Sequence, residues 1–326
     1  MTIANDYLKI YTDFLKKFLK PEKNLTVVFD CSNGVTGQIL KKLFLTQKLV
    51  NSQIINQRPD GRFPAHGPDP MKPGAMDDLC QTVRKYKADL GVIFDADGDR
   101  VFFVDDRGRP VHSDVVAGLL SKNFNGQVIL DVRAGYLARE MIVADLPRQG
   151  GGKKKIVNSR VGHYFIKKLM REKKIPFAAE VSGHYYFQDF FFADSGIFAA
   201  IMMINSISRL NRPLSDWLDS LPRYYRSGEI NFKVKDKVGV MKKVEAHFSS
   251  EGGSASGGKK LGAKISHIDG LRVEFYRRSP ELAEGWFSLR PSNTEDWLRL
   301  NLEAKNKKVF DAELRLLEKL IKTPLS

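Results

Sequence analysis

Five consecutive apolar residues, Leu90-Gly91-Val92-Ile93-Phe94, run straight into Asp95-Ala96-Asp97-Gly98-Asp99-Arg100, and Val101-Phe102-Phe103-Val104 follows without a break. A run that is apolar on both faces is a strand covered on both sides, which calls for a sheet of parallel type with helices over each face. In such sheets ligands gather where the strands end, so three alternating carboxylates and a guanidinium are delivered to a ligand-binding edge. Carboxylates at i, i+2 and i+4 around a glycine can wrap one hard cation, Mg²⁺, Mn²⁺ or Ca²⁺ rather than zinc. The Arg that follows can grip a carboxylate or a phosphate through paired hydrogen bonds. The plain alternative is an acidic turn between two strands.

A chain of 326 residues can fill two or three domains with proper cores. No window approaches the length of a membrane span, and the N-terminus lacks the charged-then-apolar pattern of a secretory signal. Cys31 and Cys80 are the only cysteines and have no metal-type spacing, so a reduced cytoplasmic protein is expected. The formal charge of +15 favours acidic partners. Its basic residues sit in scattered pairs such as Lys16-Lys17, Lys41-Lys42 and Lys167-Lys168, without the interleaved aromatics of a single-strand binder. Small phosphorylated substrates fit this better than nucleic acid, and neither nucleic acid nor a membrane is an expected partner.

Three segments are expected: 1–122, 123–226 and 227–326. In the first, Asp6 to Leu19 reads as a helix stopped by Pro21, Leu25 to Asp30 as a strand, and a further helix runs to Phe44. A long irregular loop carries Pro59-Asp60-Gly61, Pro64 and Gly67-Pro68, and a helix from about Gly74 to Lys87 leads into the carboxylate strand. Gly34 and Gly37 suit a tight turn rather than a phosphate loop, because the Lys of such a loop is missing. The second segment alternates again: strands at Val128–Asp131, Ile156-Val157 and Phe177–Ala179, with helices at Tyr136–Val143, Gly162–Glu172 and Ile197–Leu210. The third holds strands near Ile230–Val234, Leu271–Tyr276, Trp286–Leu289 and Trp297–Leu302, and helices near Val238–His247 and at the end. A Gly/Ser-rich loop runs from Ser249 to Gly258. The fold class is α/β: two mixed-sheet α/β domains followed by a small α+β domain.

Two more loops carry chemistry. Arg290, Ser292, Asn293 and Thr294 form a donor cluster between strands, suited to a phosphate dianion, although an ordinary Ser/Asn/Thr turn reads the same way. Glu180, Ser182 and His184 surround Gly183; Glu and Ser can bond vicinal sugar hydroxyls, while His can donate to phosphate or move a proton. The alternative there is a strand loop with a buried His. His163, next to Gly162 at a helix start, is either a packing residue or part of an anion-binding helix end.

Together these loops resemble those of the α-D-phosphohexomutases, especially the bacterial phosphomannomutase/phosphoglucomutase type. Val28 to Gly37 looks like the opening strand-turn of that family's second domain, and Asp60-Gly61-Arg62-Phe63-Pro64 with Pro68-Asp69-Pro70 like its long loop. Asp95 to Arg100 resembles the metal loop, Arg160-Val161-Gly162-His163 a third-domain loop, Glu180 to His184 the sugar loop, and Arg290 to Thr294 the phosphate loop. The order and spacing agree along the whole chain. The resemblance implies that Asp95, Asp97 and Asp99 hold Mg²⁺ against a phosphoserine and that Arg100 and His184 are catalytic. It also implies that Glu180, Ser182, His163, Arg133, Arg290, Ser292, Asn293 and Thr294 bind substrate. The implied activity interconverts hexose 1-phosphate and 6-phosphate through a phosphoserine and a glucose or mannose 1,6-bisphosphate. Mannose and glucose phosphates are the expected substrates, N-acetylglucosamine phosphates less so.

The chain departs from the family in places. Ala96 and Ala179 stand where Gly is usual, Arg133 where Lys is frequent, and Glu295-Asp296 follow the phosphate loop. The family's first domain, with its Ser-His-Asn-Pro loop, has no counterpart; the single Ser-His pair, Ser266-His267, is followed by Ile268-Asp269. A partial mutase, inactive alone, is therefore expected, with a separate chain carrying the first domain as a candidate partner. The other readings are a non-catalytic sugar-phosphate binding or regulatory homologue and, more remotely, a Mg²⁺-dependent phosphatase.

Overall fold

The computed structural model describes residues 2–144, 155–249, 262–276, 283–292 and 295–323. The first sheet comprises β1 (Leu25–Asp30), β2 (Val50–Ile55), β3 (Leu90–Phe94), β4 (Val101–Asp105) and β5 (Pro110–Val111), in the order β2-β1-β3-β4-β5. β1 runs parallel to β2 and β3, while β4 returns antiparallel on β3. Every residue of β3 and β4 is buried, as the unbroken apolar runs require. The helices of this region are α1 (Thr2–Lys16), α2 (Thr36–Phe44), α3 (Asp77–Tyr86) and α4 (Ser113–Ser121). α1 stops three residues short of the expected Leu19. Phe18 and Leu19 close into turns on Leu15 and Lys16, and the Asn205 amide accepts from Lys20 N at 2.8 Å and donates to Phe18 O at 2.7 Å.

The second sheet, ordered β10-β9-β8-β6-β7, contains β6 (Val128–Asp131), β7 (Ile156–Ser159), β8 (Phe177–Ala179), β9 (Tyr185–Phe187) and β10 (Ala193–Asp194). β6 and β8 are parallel, and β9 turns back antiparallel on β8. With it go α5 (Tyr136–Val143), α6 (His163–Lys173), α7 (Gly196–Ser208) and α8 (Leu214–Asp219). α7 is buried along its whole length, which is where a helix apolar all round must go. The Ser195 hydroxyl caps it by accepting from Phe198 N. α7 packs on α4 and against β3 and β4, so its first turn lies beside the end of the carboxylate hairpin.

The third sheet is antiparallel throughout, β11-β15-β14-β13-β12, from β11 (Tyr225–Lys233), β12 (Gly262–Ser266), β13 (Leu271–Tyr276), β14 (Ala283–Pro291) and β15 (Trp297–Ala304). α9 (Lys237–Ser249) and α10 (Lys307–Lys322) cover it, and Val244, Phe275, Phe287, Leu300 and Leu317 lie in the shared core. Ser249 closes α9, and the remainder of the expected Gly/Ser loop lies outside the described residues. β2 and β12, which carry no clear sequence pattern, are edge strands of their sheets.

Mixed and antiparallel sheets in an α/β, α/β, α+β succession are the architecture expected from the sequence. The chain divides into two compact units, one of residues 1–130, 137–157 and 163–221, the other of 131–136, 158–162 and 222–326. Among the described residues no helix is long and apolar enough to cross a membrane.

Candidate functional site

The carboxylate hairpin is closed by its own first residue. Asp95 is 2% exposed; its Oδ1 accepts from the Gly98 and Arg100 amides at 3.1 and 3.2 Å, and its Oδ2 accepts from Arg100 Nε at 2.7 Å. Gly98 sits at φ +77°, and a Cβ there would lie 2.4 Å from Thr36 Cγ2, so the turn demands glycine on both counts. The turn after β1 braces the loop from below: Val35 N donates to Ala96 O at 3.0 Å, and Gly34 passes so close that a Cβ would lie 2.2 Å from that oxygen. Asp95, Asp97 and Asp99 each present an oxygen, with these atoms all within 4.8 Å of one another. An all-carboxylate set of this kind fits a hard divalent cation, which asks for oxygen ligands and tolerates water in the remaining positions.

The turn between β8 and β9 is bonded directly to this loop. Val101 N donates to Gly183 O at 3.0 Å, and Arg100 and His184 form an antiparallel bridge. Gly183, at φ +90°, lets the turn lie flat on Phe102. The bridge brings His184 Nε2 to 3.5 Å from Asp99 Oδ2, while its Nδ1 lies 3.1 Å from Ser182 Oγ and 3.6 Å from Glu180 Oε2. Glu180 is 3% exposed and accepts a 2.6 Å hydrogen bond from the Tyr186 hydroxyl. On the start of α6, His163 Nδ1 lies 3.1 Å from Asp194 Oδ2, and Lys167 Nζ holds the other oxygen of Asp194 at 2.6 Å. Asp95, Asp97, Asp99, Arg100, His163, Glu180, Ser182 and His184 are thus gathered within one unit.

The electrostatics follow from this packing. Burial raises the Asp95 carboxyl to about 6 against the pull of Arg100, whereas the hydrogen bond from His184 leads the causes that lower Asp99 to about 2. Burial opposes the charging of His184, but Asp99, Glu180 and Asp194 outweigh it, and its pKa is raised. Burial and the Glu180 carboxylate hold the Tyr186 phenol far above its ordinary range.

The long loop is anchored by residues to which the sequence reading gave no site role. Asp30, fully buried, accepts from the Asn56 amide and from Ser32 N, and faces His66 Nε2 at 3.2 Å. From this anchor the chain continues to Asp69, whose Oδ1 accepts from Arg100 NH1 at 3.3 Å. Arg100 is therefore shared between Asp95 and Asp69.

The second unit holds the expected phosphate residues, and there the arginines are already matched. Arg290 Nε donates to Asp269 Oδ2 at 2.8 Å, and that oxygen also accepts from Val161 N. Arg133 chelates Asp131 through Nε at 3.1 Å and NH2 at 2.8 Å. Ser292 is buried, with its amide on Trp297 O. Asn293 and Thr294 lie outside the described residues. Glu295 and Asp296 are exposed rather than buried in the unit. Tyr186, Asp194, Lys167 and Asp269 are the partners that sequence reading missed. Tyr186 was concealed in an apolar aromatic stretch, and the others carry no local signal.

Comparison with known proteins places three domains of one family along the chain. Residues 6–108 match the phosphoglucomutase/phosphomannomutase alpha/beta/alpha domain II, residues 140–225 its domain III, and residues 229–315 its C-terminal domain. The chain belongs to the phosphoglucomutase/phosphomannomutase family. It is 35% identical to the phosphomannomutase of Methanocaldococcus jannaschii over 98% of its own length and 66% of the relative's. With the phosphomannomutase of Vibrio cholerae it shares 32% identity, covering 98% of this chain and 68% of that one. The chain thus spans about two thirds of the length of these relatives. Among solved structures it resembles a phosphoglucomutase/phosphomannomutase family protein from Burkholderia thailandensis, with TM-score 0.79 and 26% identity over 98% of this chain and 65% of that one. The N-acetylphosphoglucosamine mutase of Aspergillus fumigatus, solved with GlcNAc-6P and magnesium, shares the fold, with TM-score 0.64 and 14% identity over 97% and 70% of the two chains.

Proposed function

We propose that this chain forms the cation, sugar and phosphate sites of a phosphohexomutase of the phosphomannomutase/phosphoglucomutase type, which interconverts hexose 1-phosphate and 6-phosphate through a phosphoserine and a hexose 1,6-bisphosphate. The observation that carries the reading is the Arg100–His184 bridge, because it sets three carboxylates, a guanidinium, an imidazole and a buried glutamate against one another. The names of the relatives support the reaction class. The same reading keeps three domains, 1–122, 123–226 and 227–326, and a cytoplasmic location.

Asp95, Asp97 and Asp99 would hold Mg²⁺, which when bound neutralises charge on the phosphoryl group in transit. Arg100, fixed by Asp95 and Asp69, presents its guanidinium to that same group. Glu180 and Ser182 accept from two sugar hydroxyls, and the Tyr186 hydrogen bond keeps Glu180 in one rotamer for them. His184, whose protonated form is favoured by its acidic neighbours, donates a proton to a phosphate oxygen or relays the proton of the attacking hydroxyl. Arg290, Ser292, Asn293, Thr294 and Arg133 grip the phosphate that is not being transferred. Asp269 and Asp131 hold the two arginines ready for it.

On this reading the phosphoserine is a residue outside these 326, among which no Ser-His-Asn-Pro occurs. A coupled assay with mannose or glucose 1-phosphate and the bisphosphate is expected to show hexose phosphate binding without turnover by this chain alone. Turnover by the chain itself overturns the need for an outside carrier. Steady release of inorganic phosphate, abolished by Asp95→Asn, would mean a phosphatase instead. Titration calorimetry is expected to find weak Mg²⁺ binding, because three aspartates leave coordination positions to a phosphate that the chain does not carry.

A further inference from the structure

Beside the carboxylate loop lies a second set of possible metal ligands with different chemistry. Asp99, His163, His184 and Asp194 each offer one donor atom, and these four atoms lie within 4.8 Å of one another. They come from four places: the carboxylate loop, the first residue of α6, the turn before β9, and the end of β10. We propose that these two imidazoles and two carboxylates form a site for a borderline-soft divalent cation, Zn²⁺ in the first place, which shares Asp99 with the oxygen-only set of Asp95, Asp97 and Asp99 and, when occupied, takes His184 out of proton transfer.

Geometry supports this. Zinc bound tetrahedrally at about 2.0–2.1 Å keeps its ligand atoms about 3.3 Å apart. Two pairs stand near that spacing: His184 Nε2 to Asp99 Oδ2 at 3.5 Å, and His163 Nδ1 to Asp194 Oδ2 at 3.1 Å. The two imidazoles meet edge to face with centroids 4.9 Å apart, which keeps the two pairs side by side. The outer contacts are those a metal site uses. His184 Nδ1 is held by Ser182 Oγ at 3.1 Å, which fixes the ring with Nε2 directed at Asp99. Lys167 binds the Asp194 oxygen that does not face His163, leaving the other for the ion. Two carboxylates also balance the charge of a divalent ion. Imidazole nitrogen selects zinc over magnesium, which the neighbouring oxygen set suits better.

The inference concerns binding of zinc and does not depend on mutase activity. The test is competition for Zn²⁺ between the full chain and a chromophoric chelator, with Asp97→Asn, His163→Asn and Asp194→Asn as variants. His163 is more than half exposed, so its replacement leaves the fold intact. One zinc per chain is expected, with affinity lowered about tenfold or more by His163→Asn and by Asp194→Asn, and little changed by Asp97→Asn. Equal affinity in wild type and His163→Asn overturns the site. So does loss of zinc in Asp97→Asn with no loss in His163→Asn, because that outcome places the ion on the carboxylate loop.

Discussion

Replacing Tyr186 by Phe removes one oxygen and leaves the ring, fully buried on β9, in its place. What is lost is the 2.6 Å hydrogen bond to Glu180 Oε2, a phenol donating to a carboxylate that is 3% exposed. A hydrogen bond to a charged group is worth about 1.5–3 kcal/mol, because the buried carboxylate keeps its desolvation cost when the donor goes. Taking about 2 kcal/mol and an m-value of about 3 kcal/mol/M in urea, the midpoint of the unit containing Tyr186 falls by about 0.7 M. The functional effect is separate. If Glu180 accepts from a sugar hydroxyl, loosening its rotamer weakens hexose phosphate binding about tenfold, or about 1.4 kcal/mol. Inorganic phosphate, which has no hydroxyl to offer Glu180, binds Tyr186→Phe as it binds the wild type. Urea titration followed by circular dichroism and calorimetry with both ligands give the three numbers. An unchanged urea midpoint refutes the assigned worth of the hydrogen bond. Unchanged hexose phosphate affinity with a lowered midpoint refutes the role of Glu180 in reading the sugar.

Three further outcomes follow from the same geometry. Gly34→Ala sets a Cβ against the Ala96 carbonyl, 2.2 Å away, which cannot move without disturbing the carboxylate loop; a loss of about 2 kcal/mol is expected by urea denaturation, and no loss would mean that the turn after β1 does not brace the loop. The Asp30 carboxylate raises the pKa of His66 despite partial burial. The stabilisation from that raised pKa is full below the unfolded His value near 6.5 and disappears as pH rises through the folded one, so the urea midpoint should fall from pH 6 to pH 8 in wild type and fall less in His66→Asn. Glu303, 1% exposed, accepts from Trp286 Nε1 at 3.1 Å, Tyr136 N at 2.7 Å and Arg226 Nε at 2.5 Å. Glu303→Ala strands all three donors and should cost the second unit about 3–5 kcal/mol, with Glu303→Gln costing less because it keeps an acceptor; equal stability of the two variants would show that an uncharged acceptor contributes nothing.

The parts legible in the sequence were those whose determinants are contiguous. Leu90 to Phe94 and Val101 to Phe103 are apolar on both faces and became buried strands, and the six residues between them, with a glycine in the left-handed region, could only make a tight carboxylate turn. Glu180 to His184 was readable for the same reason, since its glycine and polar side chains lie within five positions. The family's motifs placed these loops in one chain. What they could not convey is which loop meets which. The bridge of Arg100 to His184, the contact of Arg100 with Asp69, and the pairing of His163 with Asp194 join residues that are remote in sequence, through the order in which strands enter the sheets. The helix α1 ends early because Asn205, 185 residues from Lys20, satisfies the chain there. Arg290 reads in the sequence as an open phosphate donor, and packing gives it Asp269. The sequence by itself determined the donor types and their local turns, because backbone sterics and hydrophobic pattern act over a few residues. Tertiary structure alone decided their partners, charge states and spacing, because hydrogen bonds and desolvation depend on what a side chain meets once water is excluded.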